Sequence, residues 1–184
     1  MRGIIILACM LVLICTPCSA DASEANVVLG QDWKKEYYIA EFEDLYFDII
    51  INTESPESAG FFVQSKASQA MHVFMIMDME IQCGGIDTFF WNCGSAYAAK
   101  VPEALLELGL DDVEKLYTDF LNENDISMEE IDGYRIEYPD SVGLLGVHPF
   151  IEFGNAYMEI WERTNLNRRI LDYAQEHPEV RVGL

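Results

Sequence analysis

Basic residues are scarce in this chain of 184 residues. Eleven Lys and Arg stand against 32 Asp and Glu, so the formal net charge at pH 7 is −21. Such a surface repels nucleic acid, anionic lipid and other acidic proteins, which argues against direct nucleic-acid binding. A partner recognised by electrostatics should therefore be a basic protein, a cationic molecule or a metal ion, unless the acidity only keeps the chain soluble.

The sequence also lacks the motifs of familiar catalytic sites. It contains no HExxH, GxSxG or GxGxxG pattern and only three histidines. Of these, His148 lies four residues before Glu152, a spacing that would place both on one helix face as a metal or acid/base pair. Nothing extends that pair to a complete site, so we predict no catalytic residue, no metal site and no cofactor. A carboxylate-based or metal-dependent enzyme stays open as an alternative.

Long apolar runs are missing except near the start of the chain. Residues 4–15 are apolar, follow Arg2, and are followed by Pro17 and small residues, a layout typical of a secretory signal. A membrane-spanning helix needs roughly 20 apolar residues, so an uncleaved anchor is the weaker alternative. We predict a cleaved signal peptide over 1–20, a flexible segment over 21–31 and one acidic domain over 32–184. After cleavage, the mature protein is expected to be periplasmic or secreted and to have no membrane attachment.

In the rest of the chain, apolar residues recur at the helical spacings of three and four. Gly, Pro and capping residues mark the breaks between these segments, and residues 133–146 are expected to form a long loop. The sequence predicts an all-α fold, a single-domain bundle of about six helices with a corner rich in Gly and aromatic residues. The predicted helices cover approximately 32–51, 55–81, 87–92, 95–109, 111–124 and 149–177. Pro102 predicts a kink or a break within the fourth of these, and Ser127 and Glu130 have the spacing of a capping box.

The most distinctive stretch is residues 80–109, EIQCGGIDTFFWNCGSAYAAKVPEALLELG. It resembles the core motif of a bacterial helical family of unknown function that includes the C-terminal domain of a DNA mimic protein. The shared pattern is a Gly-Gly pair, two aromatic residues, an Asn and a Gly, followed by a helix rich in Ala and Leu. The resemblance implies a helical fold and DNA mimicry. The matching motif residues are Gly84, Gly85, Phe89, Phe90, Asn92 and Gly94.

This motif is physically consistent with a corner between two helices. The two glycines allow a tight reversal, Asp87 can cap the following turn, and the aromatic side chains can anchor that turn in the core. Asn92 is expected to bond to backbone groups at the next break. A binding cleft at the corner is the alternative interpretation.

Two cysteines depart from the family pattern together. Cys83 stands where an Asn-like residue is usual, and Cys93 where a Ser is usual. In an exported chain such a paired change implies a disulfide between Cys83 and Cys93. Two buried, reduced cysteines, or a metal or redox role, are the alternatives.

Acidic residues are concentrated in the middle of the chain. Between Asp111 and Asp140 there are eleven acids and two bases, whereas residues 155–184 are near balance. The sequence therefore predicts an anionic face that suits a basic partner. The candidate residues of this face are Asp111, Asp112, Glu114, Asp119, Glu123, Asp125, Glu129 and Glu130.

Two functions other than catalysis follow from these patterns. The first is a non-enzymatic protein-binding module that uses the anionic face against a basic protein. The second, implied by the resemblance, is a DNA mimic that occupies a basic DNA-binding protein, since duplex DNA carries one negative charge per about 1.7 Å of its axis. Export would require the target of such a mimic to be foreign. The sequence carries no signal that sets the oligomeric state.

Overall fold

The computed structural model describes residues 42, 44–46, 49 and 54–181, which lie in the compact unit Ala40–Leu184. These residues form helices and turns, with no strand among them, so the predicted all-α fold is confirmed. None of the helices in this part of the chain has the length and apolarity needed to cross a membrane. The predicted signal peptide and flexible segment lie outside the described residues, and residues 42, 44–46 and 49 of the first predicted helix are helical.

Seven α-helices follow one another between residues 54 and 181, together with short 3-10 helices. The 3-10 helices are Phe61–Val63, Ser141–Gly146 and Pro178–Arg181. The α-helices are α1 (Lys66–Gly84), α2 (Ile86–Ala98), α3 (Val101–Glu107), α4 (Asp111–Glu123), α5 (Met128–Glu137), α6 (Phe150–Thr164) and α7 (Leu166–Glu176).

Helix α1 lies at the centre of the domain and packs against α2 and α3. All of its residues from Ala70 to Ile81 are buried, including the polar ones. The predicted start of this helix at residue 55 is wrong. The chain reaches Gln64 in an extended conformation, and the Ser65 side chain then accepts the backbone N–H of Ser68 at 3.0 Å. A Ser cap with this geometry sets the first helical residue at Lys66.

The corner between α1 and α2 is a single residue long. Gly85 has φ +101° and ψ 172°, a conformation that side-chain-bearing residues rarely adopt, and α2 begins at the next residue. Gly94, with φ +68°, divides α2 at the break that the sequence predicts. Pro102 lies in the first turn of α3, where its missing N–H costs little, so the predicted break at this proline is also confirmed.

Aromatic side chains join α2, α4 and α6 into one core. The ring centroid of Phe90 lies 6.2 Å from the ring centroids of both Tyr117 and Phe150. The ring centroids of Phe120 and Phe153 are 5.0 Å apart. Such tilted and edge-to-face pairs add to the burial of large apolar surfaces. The core thereby holds α4 firmly, with its outer side facing solvent.

The segment predicted as a loop over 133–146 is largely helical. Helix α5 continues to Glu137, and a 3-10 helix covers Ser141–Gly146. The capping box predicted at the start of α5 is confirmed, because the Ser127 hydroxyl accepts the Glu130 N–H at 3.1 Å while the Glu130 carboxylate accepts the Ser127 N–H. Gly133, which suggested a loop, is tolerated because the apolar residues Ile131 and Tyr134 on either side are buried.

Candidate protein-binding surface

The predicted anionic residues lie on α4, on the first turn of α5 and on the turn between these helices. Four of them, Asp111, Glu123, Asp125 and Glu129, are exposed. Within the described part of the chain these four have no ion-pair partner. We call Asp111, Glu123, Asp125 and Glu129 the anionic face from here on.

The other four predicted residues are engaged within the domain. Arg169 of α7 donates from Nη1 to both carboxylate oxygens of Asp112, at 3.0 and 3.1 Å, and from Nη2 to the Gly109 carbonyl at 2.8 Å. This guanidinium ties α7 to the start of α4, so Asp112 has a structural role. Asp119 pairs with Lys115 one turn earlier, and Glu114 accepts the Thr118 hydroxyl at 2.7 Å.

Glu130 is the most highly bonded of the eight predicted residues. Its Oε1 lies 2.7 Å from His148 Nε2 and accepts the Tyr134 hydroxyl at 2.9 Å. Burial alone would raise the pKa of Glu130, but the hydrogen bonds from His148, Tyr134 and the Ser127 N–H together lower it. Glu130 therefore keeps its charge while fastening the start of α6 to α5. His148 bonds this carboxylate rather than Glu152, the partner that its spacing suggested.

Asp132 was not among the predicted face residues and also has a structural role. It accepts the Ser95 N–H at 3.1 Å and the Ser95 hydroxyl at 2.9 Å. These bonds lower the pKa of Asp132, and they stabilise the new helical turn that follows the break at Gly94. An exposed acid can thus belong to the scaffold, and exposure alone does not define the binding surface.

A second group of carboxylates, which sequence reasoning did not single out, lies inside the domain. Asp78 of α1 is 2 % exposed and accepts the Tyr157 hydroxyl and, at 2.8 Å, Gln82 Nε2. Burial raises its pKa, and the two hydrogen bonds offset part of that rise. The signal available in the sequence was one acid within the apolar run MHVFMIMDM. Its partner Tyr157 is 79 residues away and could not be identified from local pattern.

Glu80 and Asn92 connect the two sides of the corner. Asn92 Nδ2 donates to Glu80 Oε2 at 2.7 Å, so the Asn binds a carboxylate of α1 instead of backbone groups at the Gly94 break. Burial raises the pKa of Glu80, and the hydrogen bond from Asn92 offsets part of that rise. His72, also buried on α1, has Nε2 3.0 Å from the Tyr97 hydroxyl, and burial lowers its pKa to about 4. The motif Asn is therefore part of the packing between α1 and α2.

The motif glycines are required by close approach at the corner. A Cβ on Gly84 would lie 2.4 Å from Thr88 Oγ1, and one on Gly85 would lie 2.5 Å from Asp87 Oδ1. Phe89 and Phe90 are fully buried immediately after the turn. The space at the corner is thus filled by its own side chains, which favours the structural interpretation over a cleft.

The structure does not form the disulfide predicted between Cys83 and Cys93. Because α2 folds back so that Asn92 meets Glu80, Cys93 lies beside the turn of Glu80, one turn before Cys83. Cys83 is exposed, whereas Cys93 is half-buried. Burial is the main cause that raises the pKa of the Cys93 thiol, and the negative charge of the nearby Glu80 carboxylate raises it further.

The described residues offer little chemistry beyond charge. No three His, Cys, Asp or Glu side chains among residues 54–181 converge as ligands for a metal ion. The buried carboxylates of α1 are enclosed by the core, and the exposed acids are spread along helices. The arrangement presents fixed negative charge to solvent, which suits binding.

Comparison with known proteins identifies one family. The family model described as DMP19-like protein matches residues 64–177, more than half of the chain, and the family includes a DNA mimic protein. The match covers α1 to α7, and it contains both the corner motif and the anionic face. No curated protein and no solved structure matches the chain.

Proposed function

Because the chain belongs to the DMP19-like protein family, we propose that it binds a basic DNA-binding protein and occupies the surface that would otherwise hold DNA. The observation that carries this proposal is the anionic face: four exposed carboxylates that have no ion-pair partner among the described residues and that lie on α4, on α5 and on the turn between them, where the aromatic core holds α4 in place. Because the backbone that carries these carboxylates is already ordered, binding to a basic surface has to order only their side chains.

The charge pattern supports a protein partner with many Lys and Arg residues. Asp111 and Glu123 are twelve residues apart on α4, so about 18 Å of helix axis separates them, which is comparable to the rise of roughly five phosphates along one DNA strand at about 3.4 Å each. A basic groove shaped to follow a phosphate backbone therefore meets charges at intervals that it can pair. Binding of this kind should be fast and should weaken as salt increases.

Displacement of DNA tests this proposal directly. A fluorescently labelled DNA duplex is bound to a purified basic protein that has no sequence preference, and the acidic chain is added while fluorescence anisotropy is recorded. We expect the chain to release the duplex at low salt and to do so less effectively as salt is raised. A poly-glutamate of equal total charge is the control.

Two results would contradict the proposal. One is failure to release the duplex at any salt concentration. The other is release by poly-glutamate at the same charge concentration, because the arrangement of charges on the helices would then add nothing to simple polyanion competition.

We also propose that the domain acts without catalysis. The supporting observation is that His148, the histidine placed closest to the anionic face in sequence, is bonded to Glu130 in the scaffold. Incubation with a panel of ester, phosphoester and glycoside substrates should give no turnover. Turnover that is lost on substitution of Asp78 or Glu80 would contradict this interpretation.

Export of the domain is a further part of the proposal, and it rests on the signal-like pattern of residues 4–15. The basic partner would then be met outside the cytoplasm. Intact-mass measurement on protein recovered from the envelope or medium should give a chain starting at or near Asp21 or Ser23. A mass that retains Met1 would contradict export by this route.

A further inference from the structure

Exposed apolar side chains are concentrated in one short stretch of the domain. Val142, Leu145, Val147 and Ile151 are all exposed, with Val142 at 70 % and Ile151 at 61 %. Val142 and Leu145 lie in the Ser141–Gly146 3-10 helix, Val147 directly follows it, and Ile151 lies in the first turn of α6. We call these four residues the apolar anchor. Contiguous exposed apolar surface with a polar rim is typical of a site of protein interaction.

The backbone under the apolar anchor is held in place, so its exposure is a fixed feature. Asp140 Oδ1 accepts the Gly143 N–H at 3.2 Å, and the Val147 N–H bonds to the Leu144 carbonyl at 2.8 Å. Leu144 is completely buried and fixes the 3-10 helix to the core. Since a 3-10 helix has three residues per turn, Val142 and Leu145 lie on the same edge, one above the other.

Contacts with α2 fix the same segment from the other side. Trp91 Nε1 donates to the Tyr138 carbonyl at 3.2 Å, and the Tyr138 ring packs so closely on Gly143 that a Cβ there would lie 3.0 Å from Cδ1. An apolar edge that is already ordered loses little entropy when a partner covers it.

Three further exposed carboxylates, outside the anionic face, flank the apolar anchor along the chain. Glu137 and Asp140 precede it and Glu152 follows it, and all three are exposed. The His148–Glu130 bond, at 2.7 Å, joins the anchor segment to the first turn of α5, which carries Glu129. The nearby Arg135 is stacked on Trp91, with its guanidinium carbon 5.1 Å from the ring centroid. The apolar anchor is therefore surrounded mainly by negative charge.

We propose that the apolar anchor receives the apolar side of a cationic amphipathic segment of the protein partner, while the neighbouring carboxylates pair with the basic side of that segment. A second copy of this chain is a poorer occupant, since two chains with net charge −21 repel each other. This inference rests on the proposed function, and it adds a component that DNA lacks. Burial of apolar surface is insensitive to moderate salt, so the domain should stay bound at salt concentrations that dissociate DNA.

Two synthetic peptides of leucine and lysine test the inference. They have the same composition and charge, but one places leucine on a single helical face and the other has a scrambled order. We expect the amphipathic peptide to bind the wild-type chain about tenfold more tightly than the scrambled one. This ratio of dissociation constants corresponds to a difference of about 1.4 kcal/mol in binding free energy. Titration calorimetry at low and at moderate salt measures both affinities.

Two double variants locate the preference. Val142→Ser with Leu145→Ser should remove the preference for the amphipathic peptide, while Val63→Ser with Leu106→Ser should leave it intact. The second pair is the matched control, because Val63 and Leu106 are also exposed apolar residues but lie outside the anchor segment. Circular dichroism should show that both variants fold, since no substituted residue is buried.

The outcomes separate this inference from the function on which it rests. Equal, salt-sensitive binding of both peptides would overturn the apolar anchor and leave electrostatic binding in place. Failure of both peptides to bind at low salt would overturn both. Sedimentation that shows a wild-type dimer, dissociated by Val142→Ser with Leu145→Ser, would assign the surface to a second copy and also overturn the inference.

Discussion

The carboxylates inside the domain and those of the anionic face lie in opposite environments. Asp78, Glu80 and Asp87 are buried, and burial raises the pKa of each. Asp111 and Glu129 are exposed on outer helices. A buried carboxyl is valuable to the fold for its hydrogen bonds, whereas an exposed one adds mainly to the electric field of the surface. Substitutions in the two regions should therefore separate stability from binding.

Phe90→Ala should have the largest effect on stability. Phe90 is fully buried and packs against Phe89, Tyr117 and Phe150, so its removal leaves a cavity that costs about 3–5 kcal/mol. Urea unfolding followed by circular dichroism measures the change. Leu106→Ala, at a residue that is 53 % exposed, is the control and should cost less than about 1 kcal/mol. Equal losses for both variants would show that the corner is not part of the cooperative core.

Gly85→Ala should have the next largest effect. At φ +101° and ψ 172° an Ala side chain is strained, and its Cβ would approach Asp87 Oδ1 to 2.5 Å. We expect a loss of about 1–3 kcal/mol. Gly154→Ala within α6 is the control, because its Cβ would meet no atom within 4 Å and its φ is negative. That variant should gain about 0.5–1 kcal/mol from the better helix propensity of Ala.

Asp78→Asn tests the buried carboxyl through the pH dependence of stability. The folded pKa of Asp78 is raised above its unfolded value, so its stabilising contribution is complete below the unfolded pKa and is lost as pH rises through the folded pKa. The amide cannot ionise and can still accept the Tyr157 hydroxyl. The free energy of unfolding of the variant minus that of wild type should therefore increase from about pH 4 towards pH 7.

The comparison with wild type is needed because other groups titrate in the same range. Glu80 and Asp87 act in the same direction as Asp78, whereas His72, whose pKa is lowered to about 4, acts in the opposite direction. Their contributions cancel when the two unfolding curves are subtracted. A difference that stays constant between about pH 4 and pH 7 would show that Asp78 titrates normally.

Local pattern was sufficient to predict most of the helices, because period, caps and glycines act over a few residues. The breaks at Gly85, Gly94 and Pro102 are examples. It failed for residues 55–64 and 133–146, where tertiary contacts decide the conformation. Phe61 is buried at the end of the first segment, and Leu144 is buried within the second. Neither contact has a periodic signal in the sequence.

The candidate surface was predictable in outline but not in its membership. The density of acids between Asp111 and Asp140 indicated the region correctly, but partners far along the chain determine which acids are available. Asp112 is taken by Arg169, 57 residues later, and Glu130 by His148. The structure does not show the predicted disulfide, and the ten-residue separation of the cysteines contains no information on how α2 folds against α1.

Two variants with equal charge define the test of the central claim. The first neutralises the anionic face with Asp111→Asn, Glu123→Gln, Asp125→Asn and Glu129→Gln. The second neutralises four exposed acids elsewhere with Glu54→Gln, Glu159→Gln, Glu162→Gln and Glu176→Gln. Because all eight side chains are exposed, both variants should unfold within about 0.5 kcal/mol of wild type per substituted site.

The affinity of these two variants for a basic DNA-binding protein, measured by competition with labelled duplex as salt is varied, tests the account most directly. If four exposed ion pairs contribute roughly 0.5 kcal/mol each, the anionic-face variant should bind about thirtyfold more weakly than wild type and depend less on salt. The matched variant should bind within about threefold of wild type. Equal loss of affinity in both variants would contradict the account, because it would mean that net charge alone, and not the carboxylates on α4 and α5, attracts the partner.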